Sequence, residues 1–278
     1  MMTIENNKFL FYINAGLILS GYDQYDHEDT EIAALANRIR DADYPIEFKP
    51  WFARARTGQV RVAPYWPRMA MLMSACFFID GEYAFAADSF FCFIESVGKP
   101  DPIGIDDLRR WISELPNVLQ QIDALPFSAE LWDEYSRIVA ARMPDWNEQI
   151  HKSVKAFFGS EAPQLAFNPN LFASPYSADF VRVDGRIITI AASPDAEAVL
   201  HETLHTLIAQ HRAQITDFAE RYGLGAFADK TKMLEFGYMQ NESTASIVDV
   251  IEECFVRALS VELSGGGDER LLSHAEFG

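Results

Sequence analysis

Basic residues are scarce in this chain. Lys and Arg number 23 against 41 Asp and Glu, a formal charge of -18 over 278 residues. A field of that sign repels phosphate backbones and anionic lipid, so neither nucleic acid nor a membrane surface is expected as a partner. Cysteine is scarcer still: Cys76, Cys92 and Cys254 are odd in number, far apart and set in apolar runs such as Phe90-Phe91-Cys92-Phe93. With no C-x-x-C pair, the pattern argues against a disulfide framework or a cysteine-based metal site and suits buried free thiols in a reducing compartment. Long hydrophobic runs are missing as well. The stretch from Phe9 to Leu19 is short of the ~20 residues that span a bilayer, and it lacks the basic flank and cleavage site of a secretory leader. It reads as a buried first element, and the expected location is the cytoplasm. No internal repeat or low-complexity tract is present.

What remains is an ordinary globular composition, 49% apolar and 23% charged, long enough for one large domain or two modest ones. Two regions are expected. Residues 1–160 read as mostly helical, with proline signals between the helices. Pro67 opens an apolar stretch through Met69, Met71, Met73 and Phe77-Phe78, Gly81 interrupts it, and a second aromatic run covers Phe85 to Ile94. Ser128 is a candidate N-cap for a helix to Arg142, and Pro144 starts another through Trp146 and Ile150. Met and Phe at helical spacing there read as core.

Residues 161–278 have a different character. Phe180 to Val183 and Arg186 to Ile190 flank Asp184-Gly185, a hairpin signal, because a type I′ turn needs positive φ at both central residues. Ser193-Pro194-Asp195 then supplies an N-cap, a first-turn proline and an acidic residue facing the positive end of the helix dipole. A helix is expected from Pro194 to about His211. A second long helix is expected from about Ile247 to Leu263, released by Gly265-Gly266-Gly267.

The first of these helices carries His201-Glu202-Thr203-Leu204-His205. Histidines four apart project from one helical face about a turn apart, so both imidazoles can reach one tetrahedral ion. Glu202 lies about 100° round from His201, which puts it off the ligand face but within reach of a metal-bound water. Zinc brings such a water to a pKa of about 7, and a carboxylate can take its proton as it attacks a carbonyl. A chance H-E-x-x-H is expected in roughly 1% of sequences like this one, and here it follows a hairpin on a helix read independently.

The third ligand has several candidates. His201, Glu202, His205 and His211 fit H-E-x-x-H-x-x-x-x-x-H, which resembles the metzincins, but Ile208 stands where that family has glycine. On a straight helix His211 lies about 80° off the His201 direction. Met239 in Tyr238-Met239-Gln240 faintly resembles the metzincin Met-turn. The segment Glu252-Glu253-Cys254-Phe255-Val256-Arg257-Ala258 resembles the glutamate helix of the gluzincin clan of zinc metallopeptidases, closest to bacterial members with E-x-x-V-R-A after H-E-x-x-H. That resemblance covers roughly residues 178–262. It implies His201 and His205 as ligands, Glu202 as catalytic base and Glu253 as third ligand, with Glu242 and Glu252 as alternatives. The first two letters of the thermolysin-like N-E-x-x-x-D are present as Asn241-Glu242, but Ser246 stands in place of the aspartate. The apolar pattern of the helix puts Glu252 nearer the buried edge than Glu253. Asp249 is a candidate to orient a ligand histidine, and Tyr222, Tyr238 and Arg257 are candidate oxyanion stabilisers.

The expected fold is α+β, with a small sheet and active-site helix of zincin type after a helical N-terminal region. The expected function is zinc-dependent hydrolysis of a peptide bond, with Zn2+ as cofactor and a peptide or protein as substrate. The rivals are a non-catalytic metal- or peptide-binding module on the same scaffold, a metzincin-like peptidase using His211, and an amidase sharing the site.

Overall fold

Asn7 starts the first long helix. Its side-chain oxygen accepts from the backbone N–H groups of Phe9 and Leu10 at 2.9 and 3.2 Å, serving two donors that have no partner in a first turn. The structure is a computed structural model that describes residues 2–21, 30–45, 48–57, 68–97, 102–142, 147–159, 164–173, 178–192, 195–208, 211–224 and 247–265. Helix α1 (Lys8–Leu19) buries every residue from Leu10 to Ile18, so the short apolar run near the N-terminus is a core helix. Around it lie α2 (Thr30–Asp41), α3 (Phe48–Thr57) and α4 (Arg68–Ala75), which runs on into a 3-10 turn at Cys76–Phe78. The α1–α3 approach is close at Gly16, where an added Cβ would sit 2.1 Å from the Phe52 ring. Further along are α5 (Ala87–Val97), α6 (Pro102–Ile112), α7 (Leu115–Asp123) and α8 (Ser128–Ala141), of which α7 packs on α1 and α8 on α2. No helix among the described residues is long and apolar enough to cross a membrane.

The architecture is α+β. A four-stranded sheet has the order β1-β2-β4-β3, with β1 Thr3–Ile4, β2 Gln164–Pro169, β3 Ala178–Val183 and β4 Arg186–Ala191. Strands β3 and β4 form the expected antiparallel hairpin, in register from Ala178 opposite Ala191 to Val183 opposite Arg186. Asp184 and Gly185 both take positive φ, 50° and 73°, as a two-residue primed turn requires. Strands β1 and β2 have no counterpart in the sequence reading. β1 is two residues long, and β2 is buried at every position after Gln164, so it shows no alternation.

The chain divides into two compact units. The larger comprises Ile4–Pro144 and Ala166–Pro194, so the hairpin groups with the helices that precede it in sequence. The smaller comprises Met1–Thr3, Asp145–Leu165 and Asp195–Gly278. Within the smaller unit α9 (Asn147–Phe158), α10 (Ala196–Ile208), α11 (Arg212–Arg221) and α12 (Ile247–Leu263) pack together. The helix α12 lies against the other three, and α9 also meets α10.

Three local expectations need correction. Ser128 is the first residue of α8, not its cap; its buried hydroxyl donates to the Ile122 carbonyl at 2.6 Å, and Phe127 occupies the N-cap position. The helix carrying the histidine pair is described over Ala196–Ile208, residues 209–210 lie outside the described residues, and His211 stands at the N-cap of the next helix. Of the three free cysteines only Cys76 is buried, whereas Cys92 and Cys254 are exposed. On α5 the buried side is made by Phe90, Phe91, Phe93 and Ile94, which turns Cys92 outward. Pro67, Pro144, Ser193, Pro194, Gly266 and Gly267 lie outside the described residues.

Candidate metal centre

Helix α10 buries Val199, Leu200, Thr203, Leu204, Thr206, Leu207 and Ile208. Its two buried threonines return their hydroxyls to the helix itself, Thr203 to the Val199 carbonyl at 2.8 Å and Thr206 to that of Glu202 at 3.4 Å. That leaves His201 and His205 as half-buried polar side chains on a neighbouring face, one turn apart, with ring centroids 4.7 Å apart and planes crossed at 79°. Both rings turn Nε2 inward, and the two nitrogens are 3.1 Å apart.

Helix α12 supplies the third group. Its buried residues include Glu253, Val256, Ser260 and Val261, so Glu253 lies on the packed face and is only 7% exposed. Cys254 and Phe255 point to solvent, Phe255 at 50% exposure. The apolar pattern of the sequence puts Glu252 nearer the buried edge; in the structure Glu253 is the more buried of the two, with side-chain exposures of 9% against 13%. Glu253 Oε2 lies 3.2 Å from His205 Nε2, and Oε1 lies 3.6 Å from His201 Nε2. Ligand atoms of His201, His205 and Glu253 all fall within 4.8 Å of one another.

Charges of both signs surround this triangle. Arg257, one turn after Glu253, donates from Nε to Glu253 Oε1 at 2.7 Å. Burial raises the carboxyl pKa of Glu253, but hydrogen bonds from His205 and Arg257 and the charges of both histidines overcome it and bring the value down to about 2. Burial likewise opposes a charge on His205, and the carboxylates of Glu252 and Glu253 with the charge of Glu202 push its pKa up to about 10. Both shifts favour an anionic carboxylate beside a cationic ring, and a divalent cation binding these groups would displace the imidazole proton.

The donor set can be tested for fit. At Zn–N and Zn–O distances of 2.0–2.1 Å, tetrahedral geometry separates ligand atoms by about 3.3 Å. The two edges at His205 Nε2, 3.1 Å to His201 Nε2 and 3.2 Å to Glu253 Oε2, lie near that value; Glu253 comes to 3.6 Å of His201 Nε2 through its other oxygen, and one ligand atom from each residue fits within 4.8 Å. Two imidazoles and one carboxylate are also the donors of catalytic zinc sites that keep a fourth position for water. The residues present fit zinc.

The other sequence candidates fall elsewhere. Glu202 precedes the triangle's second histidine on the same helix, is half-buried, and its charge reaches His205. Glu252 faces the other nitrogen of that ring, with Oε1 3.7 Å from His205 Nδ1, and its Oε2 pairs with Arg212 at 2.6 Å. Asp249 also pairs with Arg212. His211 is exposed at the N-cap of α11 and is not in the triangle. Tyr222 is 61% exposed at the end of α11. Glu242, Tyr238, Met239, Asn241 and Ser246 lie outside the described residues. Sequence reasoning missed Arg212, which links two acids of α12 from the start of α11; no local motif marks an ion pair between residues 40 apart in sequence. Comparison with protein-family models, with curated proteins and with solved structures finds no match, so the reading of this site rests on its own geometry and on the H-E-x-x-H segment.

Proposed function

We propose that the chain is a zinc-dependent hydrolase of the gluzincin kind, acting on a peptide bond. The observation that carries the reading is the triangle of His201, His205 and Glu253 beside the one residue type that a hydrolytic site needs in addition, the carboxylate of Glu202. Zinc at this position would supply Lewis acidity and an acidified water. His201 and His205 present Nε2 from consecutive turns of α10, and Glu253 closes the set from α12. Glu202 takes the proton of the attacking water and returns it to the leaving amine. Arg257 keeps Glu253 ionised, so that the donor set is two neutral imidazoles and one anion. A site that only stored or sensed metal would have no use for the base, which is what favours an enzyme over a binding module.

The test has a metal arm and a chemical arm. Competition titration with a chelator is expected to find about one zinc per chain, as for other three-ligand sites. Glu253→Ala should release the metal to a weak chelator, while His211→Ala should hold it within a few-fold of the wild type. Loss in His211→Ala alone would restore the metzincin assignment. A broad peptide library then reports hydrolysis, and Glu202→Gln should keep zinc yet lose turnover by at least ~100-fold, because an amide accepts a hydrogen bond but no proton. Wild-type protein that binds zinc and cleaves no member of the library would favour the binding-module reading.

A further inference from the structure

We infer that Glu252 is the positioning residue for His205, holding the proton of Nδ1 so that Nε2 faces the metal, and that Arg212 and Asp249 hold Glu252 in turn. The inference rests on the zinc reading above and deepens it. An imidazole has two nitrogens on opposite edges, and only one can face the centre. Adjacent residues of a helix diverge by about 100°, so the neighbouring acids of α12 approach the His205 ring from two sides. Glu253 comes to Nε2 at 3.2 Å and Glu252 to Nδ1 at 3.7 Å. The division of labour is fixed by what each carboxylate does with its second oxygen. That of Glu253 lies toward His201 and Arg257. That of Glu252 is held by Arg212 Nη1 at 2.6 Å, while Nη2 of the same guanidinium takes Asp249, one turn earlier on α12. Arg212 thus holds one oxygen of Glu252 while the other faces the Nδ1 edge of the His205 ring.

The chemistry follows from the tautomer. A neutral imidazole that offers a lone pair at Nε2 carries its proton at Nδ1, and a carboxylate there fixes the ring plane and raises the basicity of the ligand nitrogen. The 3.7 Å separation is an ion-pair distance, longer than a hydrogen bond. Partners of this kind tighten when the site is engaged. Asp249, suggested by sequence for this role, serves it at one remove by fixing the guanidinium.

The experiment reads metal binding and the histidine tautomer, not turnover. Chelator competition on Glu252→Ala should show zinc affinity 10–100-fold weaker, the usual cost of losing such a partner. Glu252→Gln should lie between that variant and the wild type, since its amide oxygen still accepts from Nδ1–H. Glu262→Ala, an exposed acid on the same helix, should bind as the wild type does. Nitrogen-15 spectra of the zinc-loaded wild type should show His205 protonated at Nδ1, with slow solvent exchange that becomes fast in Glu252→Ala. An affinity unchanged within twofold overturns the inference, and so does a loss as complete as that of Glu253→Ala, which would make Glu252 a ligand. If Glu252→Ala does not fold, the wild-type spectrum decides: a His205 Nδ1 without a proton overturns the inference. Wild-type protein that takes up no zinc overturns the hydrolase reading beneath it, a separate and distinguishable failure.

Discussion

Asp123, the last residue of α7, gathers three donors from other parts of the larger unit. The hydroxyls of Tyr12 and Tyr83 both donate to its carboxylate, and Lys8 Nζ lies 2.5 Å away. Tyr83 reaches it from a backbone with φ of 62°, a left-handed conformation that a tyrosine adopts only when its surroundings hold it. Phe9 packs against the same ring, centroids 5.3 Å apart and planes tilted by 48°. Burial raises the Asp123 pKa, but Lys8 and the two tyrosines outweigh it, and the net shift is downward. The stabilisation is therefore complete above the ordinary carboxyl value of about 4 and is lost as pH falls through the lower folded value. Asp123→Asn should cost about 1–2 kcal/mol at neutral pH, the lower end for charged hydrogen bonds because the group is partly solvated. In urea melts the gap between wild type and variant should close below pH 4; a gap independent of pH would show that the carboxylate charge contributes nothing. None of this cluster was legible in the sequence, where its members are up to 115 residues apart. The His201–His205 pair was legible because its relation is local: four residues apart on a helix fixes two side chains whatever the rest of the fold does.

At the scale of elements, packing faces were harder to read than boundaries. Helix α12 runs from Ile247 to Leu263 as the sequence suggested, and the Asp184-Gly185 turn joins its strands as that dipeptide demands. Which side of α12 is buried could not be taken from hydrophobicity, because Phe255 is exposed and Glu253 is not. An apolar residue on a surface is unremarkable, whereas a buried glutamate needs partners, and those partners sit on α10 and one turn further along α12 itself. The sheet was half legible for a related reason. Alternation reveals strands with one wet face, and β2 has almost none. Helix α1 shows how tightly elements meet. With the Phe52 ring occupying the place of a Cβ at Gly16, Gly16→Ala must move either α3 or the ring. Overpacking of this kind costs about 1–3 kcal/mol, well above the helix-propensity gain from alanine of about 1 kcal/mol. The urea midpoint of Gly16→Ala is expected to fall, and the double variant Gly16→Ala with Phe52→Leu should recover part of the loss. A rise in the midpoint of the single variant would mean that the approach of α1 and α3 is loose.

For the whole molecule, the consequence of two compact units is that a ligand need not stabilise both. His201, His205, Glu253 and their flanking residues Glu252, Arg212, Asp249 and Arg257 all belong to the smaller unit. On the zinc reading proposed above, metal at 100 times its Kd would add about 2.7 kcal/mol to whatever unfolds when the site is lost. Hydrogen exchange with and without zinc should slow by up to ~100-fold in α10 and α12, with little change in the α1 and α7 amides of the larger unit. Equal protection throughout would show that the chain opens as one cooperative body. The order in which the units are made adds a further point. Every segment of the larger unit precedes residue 195, while α10, α11 and α12 all follow it. A ribosome adding about 5–20 residues per second therefore delivers the whole of the larger unit some seconds before Glu253 appears. Helix α9 precedes residue 195, so it waits for neighbours that are made after it. On the proposed reading, metal capture would wait for the second helix of the pair: the donor set is not complete until Glu253, in the second turn of α12, has left the tunnel.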